Sequence, residues 1–332
     1  MQTFRAFRIF NENGNSVSRF VDMTLDELDP GEVVIRATYS SVNYKDALAA
    51  TGAGKVIRRF PCNGGVDVAG VVESSTDLHF KPGDEVIVTG YDMGVAHDGG
   101  FAEYVRVPAA WVVLKPGGLT LFQAMALGTA GFTAALSIHR LEQNDLKPEN
   151  GPVLVTGATG GVGSLAVMML AQLGYRVVAM TGKESEHGYL KSLGASEVLA
   201  RDSIDLASTR ALEKAQWAGA LDAVGGATLS WLVRSMMQGG AIASFGNTGG
   251  AELHTMVYPF ILRGVRLIGI DSANTAMPLR EKIWQRMARE LLPAQLEKIT
   301  RAISFEQMPA LFQEMLRGQS QGRKVVHIAD SA

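Results

Sequence analysis

A chain of 332 residues, 47% apolar and 19% charged, is long enough for two domains with a substantial core and too hydrophobic to be disordered. Lys and Arg number 31 against 33 Asp and Glu, a net charge of −2, so the sequence lacks the basic footprint of a nucleic-acid binder and the polybasic anchor of a membrane-surface protein; a small-molecule partner is expected. Gly is over-used at 37 residues and Pro is sparse at 11, which favours tight turns, while Cys62, the only cysteine, rules out an intramolecular disulfide and any zinc site needing two thiolates; a cytoplasmic setting is the default.

Residues 1–7 carry no apolar signal-peptide segment. Short strands are predicted at 33–37, 66–72, 85–88 and 102–107, with breaks at Asp29-Pro30-Gly31 and Lys81-Pro82-Gly83-Asp84. That pattern predicts a compact β-rich domain over 1–124. Helical spacing begins near Leu121, and from Val153 strands alternate with helices: 153–155, 176–180, 197–199, 221–224, 241–245 and 266–270. Such alternation predicts a parallel sheet covered by helices, hence an α/β fold. A helix over 279–292 follows, then a closing strand at 324–328 that fits either sheet. The longest apolar helix candidate, 162–173, is interrupted by Ser164 and Gln172 and is too short to cross a bilayer.

The strand at 153–155 runs directly into Thr156-Gly157-Ala158-Thr159-Gly160-Gly161-Val162-Gly163, and apolar residues at Val162, Leu165, Ala166, Met169, Leu170 and Leu173 mark the helix behind it. A strand, a Gly-rich turn and a helix N-terminus in sequence are what a pyrophosphate needs: a close backbone, free N–H groups and a positive dipole end. Ala158 breaks the strict glycine spacing, so an ordinary Gly-rich turn of a flavodoxin-like sheet is the alternative. In an NAD site the second strand ends on an acid that binds the ribose 2′-hydroxyl; here it ends Thr181-Gly182-Lys183, which would instead welcome a 2′-phosphate. The cofactor therefore reads as NADPH, with Arg201 as an added bidentate ligand. Glu184 and Glu186 cut the other way: were Glu184 to face the ribose, the preference would soften.

Several segments then carry a resemblance over nearly the whole chain: Ser40-Ser41-Val42-Asn43-Tyr44-Lys45-Asp46, Gly65-Val66-Asp67-Val68-Ala69-Gly70, Gly83-Asp84-Glu85-Val86, Gly99-Gly100-Phe101-Ala102-Glu103-Tyr104 and Gly128-Thr129-Ala130-Gly131-Phe132-Thr133-Ala134. Together with the Gly-rich turn they resemble the medium-chain dehydrogenase/reductase superfamily in its zinc-independent quinone-oxidoreductase branch. The stretches 55–61, 258–264, 269–272 and Gln321-Gly322-Arg323 are similar to its acryloyl-CoA reductase subgroup, the YhdH/YhfP type. Residues 91–98 depart from that pattern by lacking a Trp, which puts substrate identity in question.

The resemblance implies a GroES-like catalytic domain of 1–124 completed by 298–332, and a Rossmann doubly wound domain of 125–297. It implies NADPH contacts at Tyr44, Thr159, Gly160, Gly161, Val162, Thr181, Gly182, Lys183, Arg201, Asn247, Ile261 and Ser272, to which Thr133 and Arg323 are added as candidates. It implies a homodimer through the edge strand at 266–270. The catalytic zinc ligands of related alcohol dehydrogenases align with Asn43, Val66 and Ala130, none of which replaces a thiolate or imidazole. The implied chemistry is reduction of an activated C=C bond, with donors aimed at the oxygen where enolate charge develops.

The candidate catalytic residues are Tyr44, Asn43, Asp46 and Thr129. Tyr44 is either a proton or hydrogen-bond donor or a wall against the cofactor; Asp46 is either catalytic or a helix cap; Thr129 and Thr133 line the cofactor or cap a helix. Lys45 sits at the proton-relay hydroxyl of the zinc enzymes or is simply solvated, and His97 is a polar group at the substrate mouth or an idle loop residue. Lys55, Arg58, Arg59 and Arg323 are candidates for the phosphates of a CoA thioester, with a merely solvated basic loop as the alternative. The expected function is NADPH-dependent reduction of a short enoyl thioester such as acryloyl-CoA. The alternatives are a reductase of free quinones or enones, and a nucleotide-binding module without turnover.

Overall fold

The computed structural model describes residues 3–329. Strands β1 (Phe4–Glu12) and β2 (Asn15–Met23) form an antiparallel hairpin in register from Phe4↔Met23 to Glu12↔Asn15. Asn13 and Gly14 both take positive φ at its tip, the backbone twist a two-residue hairpin needs. The composition-led reading passed over this hairpin, although Asn-Gly between apolar runs is its usual signal. The chain continues through β3 (Val33–Ser41), α1 (Tyr44–Thr51), β4 (Cys62–Asn63), β5 (Asp67–Ser75), β6 (Glu85–Thr89), β7 (Tyr104–Val107) and β8 (Val113–Leu114).

Helix α2 (Leu121–Gln143) is long and apolar, but it is largely buried and breaks at Gly128, whose φ of 52° and ψ of −155° are not helical. It, rather than the segment at 162–173, is the longest apolar helix of the described chain. Next come β9 (Val153–Val155), α3 (Gly161–Gln172), β10 (Val177–Thr181), α4 (His187–Ser192), β11 (Glu197–Ala200), β12 (Trp217–Asp222), α5 (Gly226–Ser235), β13 (Met236–Ser244), α6 (Tyr258–Arg263) and β14 (Arg266–Gly269). The chain closes with α7 (Met277–Met287), β15 (Thr300–Ser304), α8 (Met308–Leu316) and β16 (Arg323–His327).

Two compact units result. The first comprises the described chain up to Thr129, Ala273–Ala288 and the chain from Gln295 onward; the second comprises Ala130–Ser272 and Arg289–Ala294. The sequence reading put the borders at 124/125 and 297/298, which would assign α7 to the central unit. Arg280 explains the difference: buried on α7, it donates to the Thr89 carbonyl at 2.7 Å, to Thr89 Oγ1 at 3.0 Å and to the Ala273 carbonyl at 2.9 Å, all in the first unit.

In the first unit the main sheet runs β15-β16-β3-β5-β6-β8, with β7 paired to the first half of β3. The closing strand, open to either sheet by sequence, pairs here with β3 and β15. Beneath it a core of Phe7, Ile35, Val68, Phe101 and Phe312 brings together aromatic rings from both ends of the chain. In the second unit six parallel strands follow the order β11-β10-β9-β12-β13-β14, the doubly wound order in which neighbouring β9 and β12 define the switch point.

Candidate functional site

At the switch point in the second unit, Thr156 is buried just beyond β9. Its Oγ1 donates to Asp222 Oδ1 at 2.7 Å and accepts the Ala223 N–H at 3.0 Å, so the carboxyl ends of β9 and β12 are tied together. Burial pushes the Asp222 carboxyl above the usual carboxylate range, against the hydrogen bonds it accepts from Thr156, Gly225 and Val224. Gly160 caps α3 and is exposed, and Thr159, Gly161 and Val162 are half-buried, which leaves the first turn of the helix open. Gly163 lies against the turn itself: a Cβ there would sit 2.3 Å from the Gly157 carbonyl oxygen. Ala158, the departure from strict glycine spacing, is buried with its N–H on the Met180 carbonyl at 3.3 Å, so a methyl is accommodated at that position.

One strand over, Thr181 ends β10 buried, and its Oγ1 accepts the Lys183 N–H at 3.1 Å. Parallel pairing of Thr181 with Ala200 brings the following residue, Arg201, alongside Gly182, where a Cβ would lie 3.0 Å from Arg201 Nη2. Thr181, Gly182, Lys183 and Arg201 thus form one basic turn. Glu184 stands exposed in the succeeding 3-10 turn, and Glu186 is half-buried there. Thr133 Oγ1 donates to Ser272 Oγ at 2.9 Å, joining two predicted cofactor residues. Asn247 is exposed in the loop after β13, and Ile261 is 67% exposed on α6.

The first unit gathers a second group. Asp67 is fully buried: its Oδ2 receives Ser41 Oγ at 2.5 Å, Asn43 Nδ2 at 2.8 Å and the Thr129 N–H at 3.0 Å, and its Oδ1 receives Thr129 Oγ1 at 2.5 Å. Asn43 caps α1, with its N–H on Asp46 Oδ2 at 2.8 Å, while Asp46 Oδ1 accepts the Val66 N–H at 3.1 Å. Both oxygens of Asp46 are therefore taken by backbone donors, the capping alternative of the sequence reading. Arg323, a candidate cofactor residue from sequence, is 2% exposed, and its guanidinium donates inside this unit to the carbonyls of Ala126 and Met125, to Ser41 Oγ and to Asn43 Oδ1. Tyr44, the first residue of α1, is 45% exposed. Sequence reasoning missed Asp67 as a site residue; the signal was an acid inside the quoted Gly65–Gly70 motif, whose other residues are glycine or apolar.

Burial, reinforced by the nearby Asp67 charge and opposed by the backbone hydrogen bonds, raises the Asp46 carboxyl from 3.8 to about 7. The folded chain therefore holds this proton more tightly than the unfolded chain, and the associated stability is present below about pH 4 and lost as pH rises toward 7. The swing is on the order of 4 kcal/mol. Thermal melts of the wild type and Asp46→Asn between pH 4 and 8 should show a pH slope in the wild type that is reduced in the variant; identical slopes would remove Asp46 as the source.

The basic run is already engaged. Arg58 pairs with Asp92, and Arg59 pairs with Asp29 and donates from Nε to the Ala96 carbonyl at 3.0 Å. Lys55 is exposed. His97 places its ring nitrogens on the carbonyls of Pro30 and Asp98.

For zinc the donor set does not fit. The Asn43 amide is held by Asp67 and Arg323, Val66 offers only backbone, and among the described residues no three His, Cys, Asp or Glu side chains converge as a metal group. Cys62 is buried with its thiol against the carbonyls of Asn63 and His97, and burial pushes it up to about 12.

A β-rich unit and a second unit built on a doubly wound sheet with an open Gly-rich turn are the two parts of a two-unit dehydrogenase, an oxidoreductase. Residues 29–117 match the family model of the alcohol dehydrogenase GroES-like domain, and residues 161–291 match that of the zinc-binding dehydrogenases. The chain belongs to the YhdH/YhfP-type group of the medium-chain dehydrogenase/reductase superfamily. It is 49% identical to Bacillus subtilis YhfP, which bears a quinone-oxidoreductase name, over 96% of this chain and 97% of that one. It is 46% identical to the acrylyl-CoA reductase AcuI of Ruegeria pomeroyi over 96% of each. The crystal structure of the yhdH oxidoreductase from Salmonella enterica in complex with NADP superposes with a TM-score of 0.95 at 43% identity, covering 98% of this chain and all of that one. YhfP with NAD bound superposes at 0.96 and 47% identity over the same shares.

Proposed function

We propose that this protein is an NADPH-dependent reductase of the C=C bond in α,β-unsaturated carbonyl compounds, with a short enoyl thioester of the acryloyl-CoA kind as substrate. The observation that carries the cofactor is the turn of Thr181, Gly182, Lys183 and Arg201, in which two cations stand where an NAD site keeps an acid. The NADP bound to the Salmonella relative and the name of AcuI support the same reading. NADPH supplies a hydride when bound. Within this chain Lys183 and Arg201 hold the 2′-phosphate, and the open first turn of α3 offers its N–H groups to the pyrophosphate. Asn43 is committed to Asp67 and Arg323, Asp46 to the N–H groups of Asn43 and Val66, and Thr129 to Asp67, so the exposed phenol of Tyr44 is assigned as the donor to the substrate carbonyl oxygen.

Oxidation of NADPH against a panel of crotonyl- and acryloyl-CoA, a free enone and a quinone tests the reading. Turnover of quinones alone would favour the function YhfP is named for, and binding of NADPH with no turnover would favour a nucleotide-binding module. The enoyl-CoA is expected to have the higher kcat/KM than the matching enone, because binding energy far from the reacting carbon is converted into rate. Arg58→Ala should narrow that gap: its pair with Asp92 is exposed and worth at most about 1 kcal/mol, so a CoA phosphate can displace the carboxylate. Arg59 is the weaker candidate because Asp29 and Ala96 both hold it. An unchanged ratio in Arg58→Ala would make the run structural.

The same reading includes a cytoplasmic homodimer. The strand β14 ends the parallel sheet with one edge unpaired, and Met256, Val257, Tyr258, Ile261 and Leu262 beside it in sequence are exposed apolar residues, the kind of surface a second copy covers. Light scattering tests it, and a monomer at micromolar concentration would refute it.

A further inference from the structure

We propose that Asp67 is a positioning residue for this reaction, and that with Arg323 it forms a pair of reciprocal charged caps across the break in α2. The inference rests on the reductase reading and names residues that the reading leaves unassigned.

The break at Gly128 divides α2 into a limb that ends near Leu127 and a limb that begins at Thr129. The first limb leaves carbonyls without helical partners, and the second leaves N–H groups. Arg323 meets the first set, with Nε on the Ala126 carbonyl at 2.8 Å and Nη2 on the Met125 carbonyl at 3.4 Å. Asp67 meets the second, with Oδ2 on the Thr129 N–H at 3.0 Å and Oδ1 on its hydroxyl at 2.5 Å. Each charge thus faces the helix end whose dipole favours it. No side chain fits between them: a Cβ on Gly128 would lie 2.7 Å from Asp67 Oδ2, 2.7 Å from Ser41 Oγ and 2.9 Å from Arg323 Nη2.

The two caps also share Asn43. Its Nδ2 donates to Asp67 and its Oδ1 accepts from Arg323, which fixes the amide at both ends. Asn43 is the N-cap of α1, and the next residue is Tyr44. Asp67 therefore holds both the start of the helix that presents Tyr44 and the hydroxyl of Thr129. Stability alone is a poor reason for such a cluster, because two buried charges cost several kcal/mol each to desolvate and an apolar set of the same volume is often at least as stable. What the charges provide is orientation of Asn43 and Thr129.

The test is steady-state kinetics of Asp67→Asn, Thr129→Val and Thr129→Ser with an enoyl-CoA, alongside thermal melts. Asp67→Asn turns one acceptor into a donor facing donors, and Thr129→Val deletes the hydroxyl. Both are expected to lower kcat at least tenfold per folded molecule while KM for NADPH, held by the other unit, stays within about threefold. Thr129→Ser, which keeps the hydroxyl, should restore kcat. Folded variants with wild-type kcat and only a lower melting temperature would overturn the inference and make the cluster structural. Should Asp67→Asn fail to fold, the Thr129 pair decides alone. A wild type inactive with enoyl-CoA, enone and quinone would overturn the reductase reading and the inference with it, whereas an active wild type with unaffected variants would overturn the inference only.

Discussion

Gly163→Ala is expected to abolish measurable NADPH binding, a loss of at least about a hundredfold in affinity. The added methyl would lie 2.3 Å from the Gly157 carbonyl oxygen and 2.7 Å from Ala158 Cα, both backbone atoms, so no side chain can rotate away to admit it. Relief requires α3 to withdraw from β9, and that movement carries the open N–H groups of the first turn away from any pyrophosphate. A hundredfold loss corresponds to about 2.8 kcal/mol, within reach of overpacking at a close backbone contact. Fluorescence titration with NADPH measures it, and wild-type affinity in a folded Gly163→Ala variant would remove the turn from the cofactor site.

The unmodified protein is expected to prefer NADPH over NADH by at least about tenfold, and Lys183→Ala with Arg201→Ala to erase most of that preference. A charge-assisted contact to the 2′-phosphate is worth about 1.5–3 kcal/mol, and about 1.4 kcal/mol is a factor of ten. The turn is preassembled, since Arg201 already lies against Gly182 and Lys183 follows the bonded Thr181. The variants should weaken NADPH and leave NADH nearly unchanged, because NADH brings no phosphate to that turn. YhfP was crystallised with NAD, so the measurement is informative in both directions: equal affinities in the wild type would make Glu184, rather than the cations, the residue that faces the ribose.

What the sequence disclosed follows from how local each signal is. The parallel sheet was legible because strand, turn and helix recur within about thirty residues, and the Thr181–Arg201 turn followed from two strand ends. Strand limits drifted: β12 begins at Trp217, four residues before the predicted strand, and β13 at Met236, five before, where exposed Gln238 and Gly239 interrupt the apolar pattern. The unit border differs from the sequence expectation because Arg280 looks like a surface cation in sequence, and only folding brings it to Thr89, 191 positions away. The buried bonds of Arg323 were hidden for the same reason. Gln321-Gly322-Arg323 carries a family resemblance but no sign of its partners, which include carbonyls almost two hundred residues upstream. Asp67 is the sharpest case: an acid in a buried strand announces a partner without saying which, and here the partners come from β3, the start of α1 and the middle of α2.

The buried thiol has a meaning for the substrate class. Acrylyl thioesters and enones are Michael acceptors, and the side chain they alkylate fastest is a thiolate. A protein that gathers such electrophiles turnover after turnover is exposed to covalent self-inactivation by what it consumes. This chain has one sulfhydryl in 332 residues, placed in β4 with its proton shared between two carbonyls. Burial holds the thiol well above its ordinary value and so keeps it from ionising, in a place that solvent does not reach. Under the proposed enoyl-thioester reading, sparing use of cysteine is a form of chemical tolerance toward the electrophile the protein would reduce.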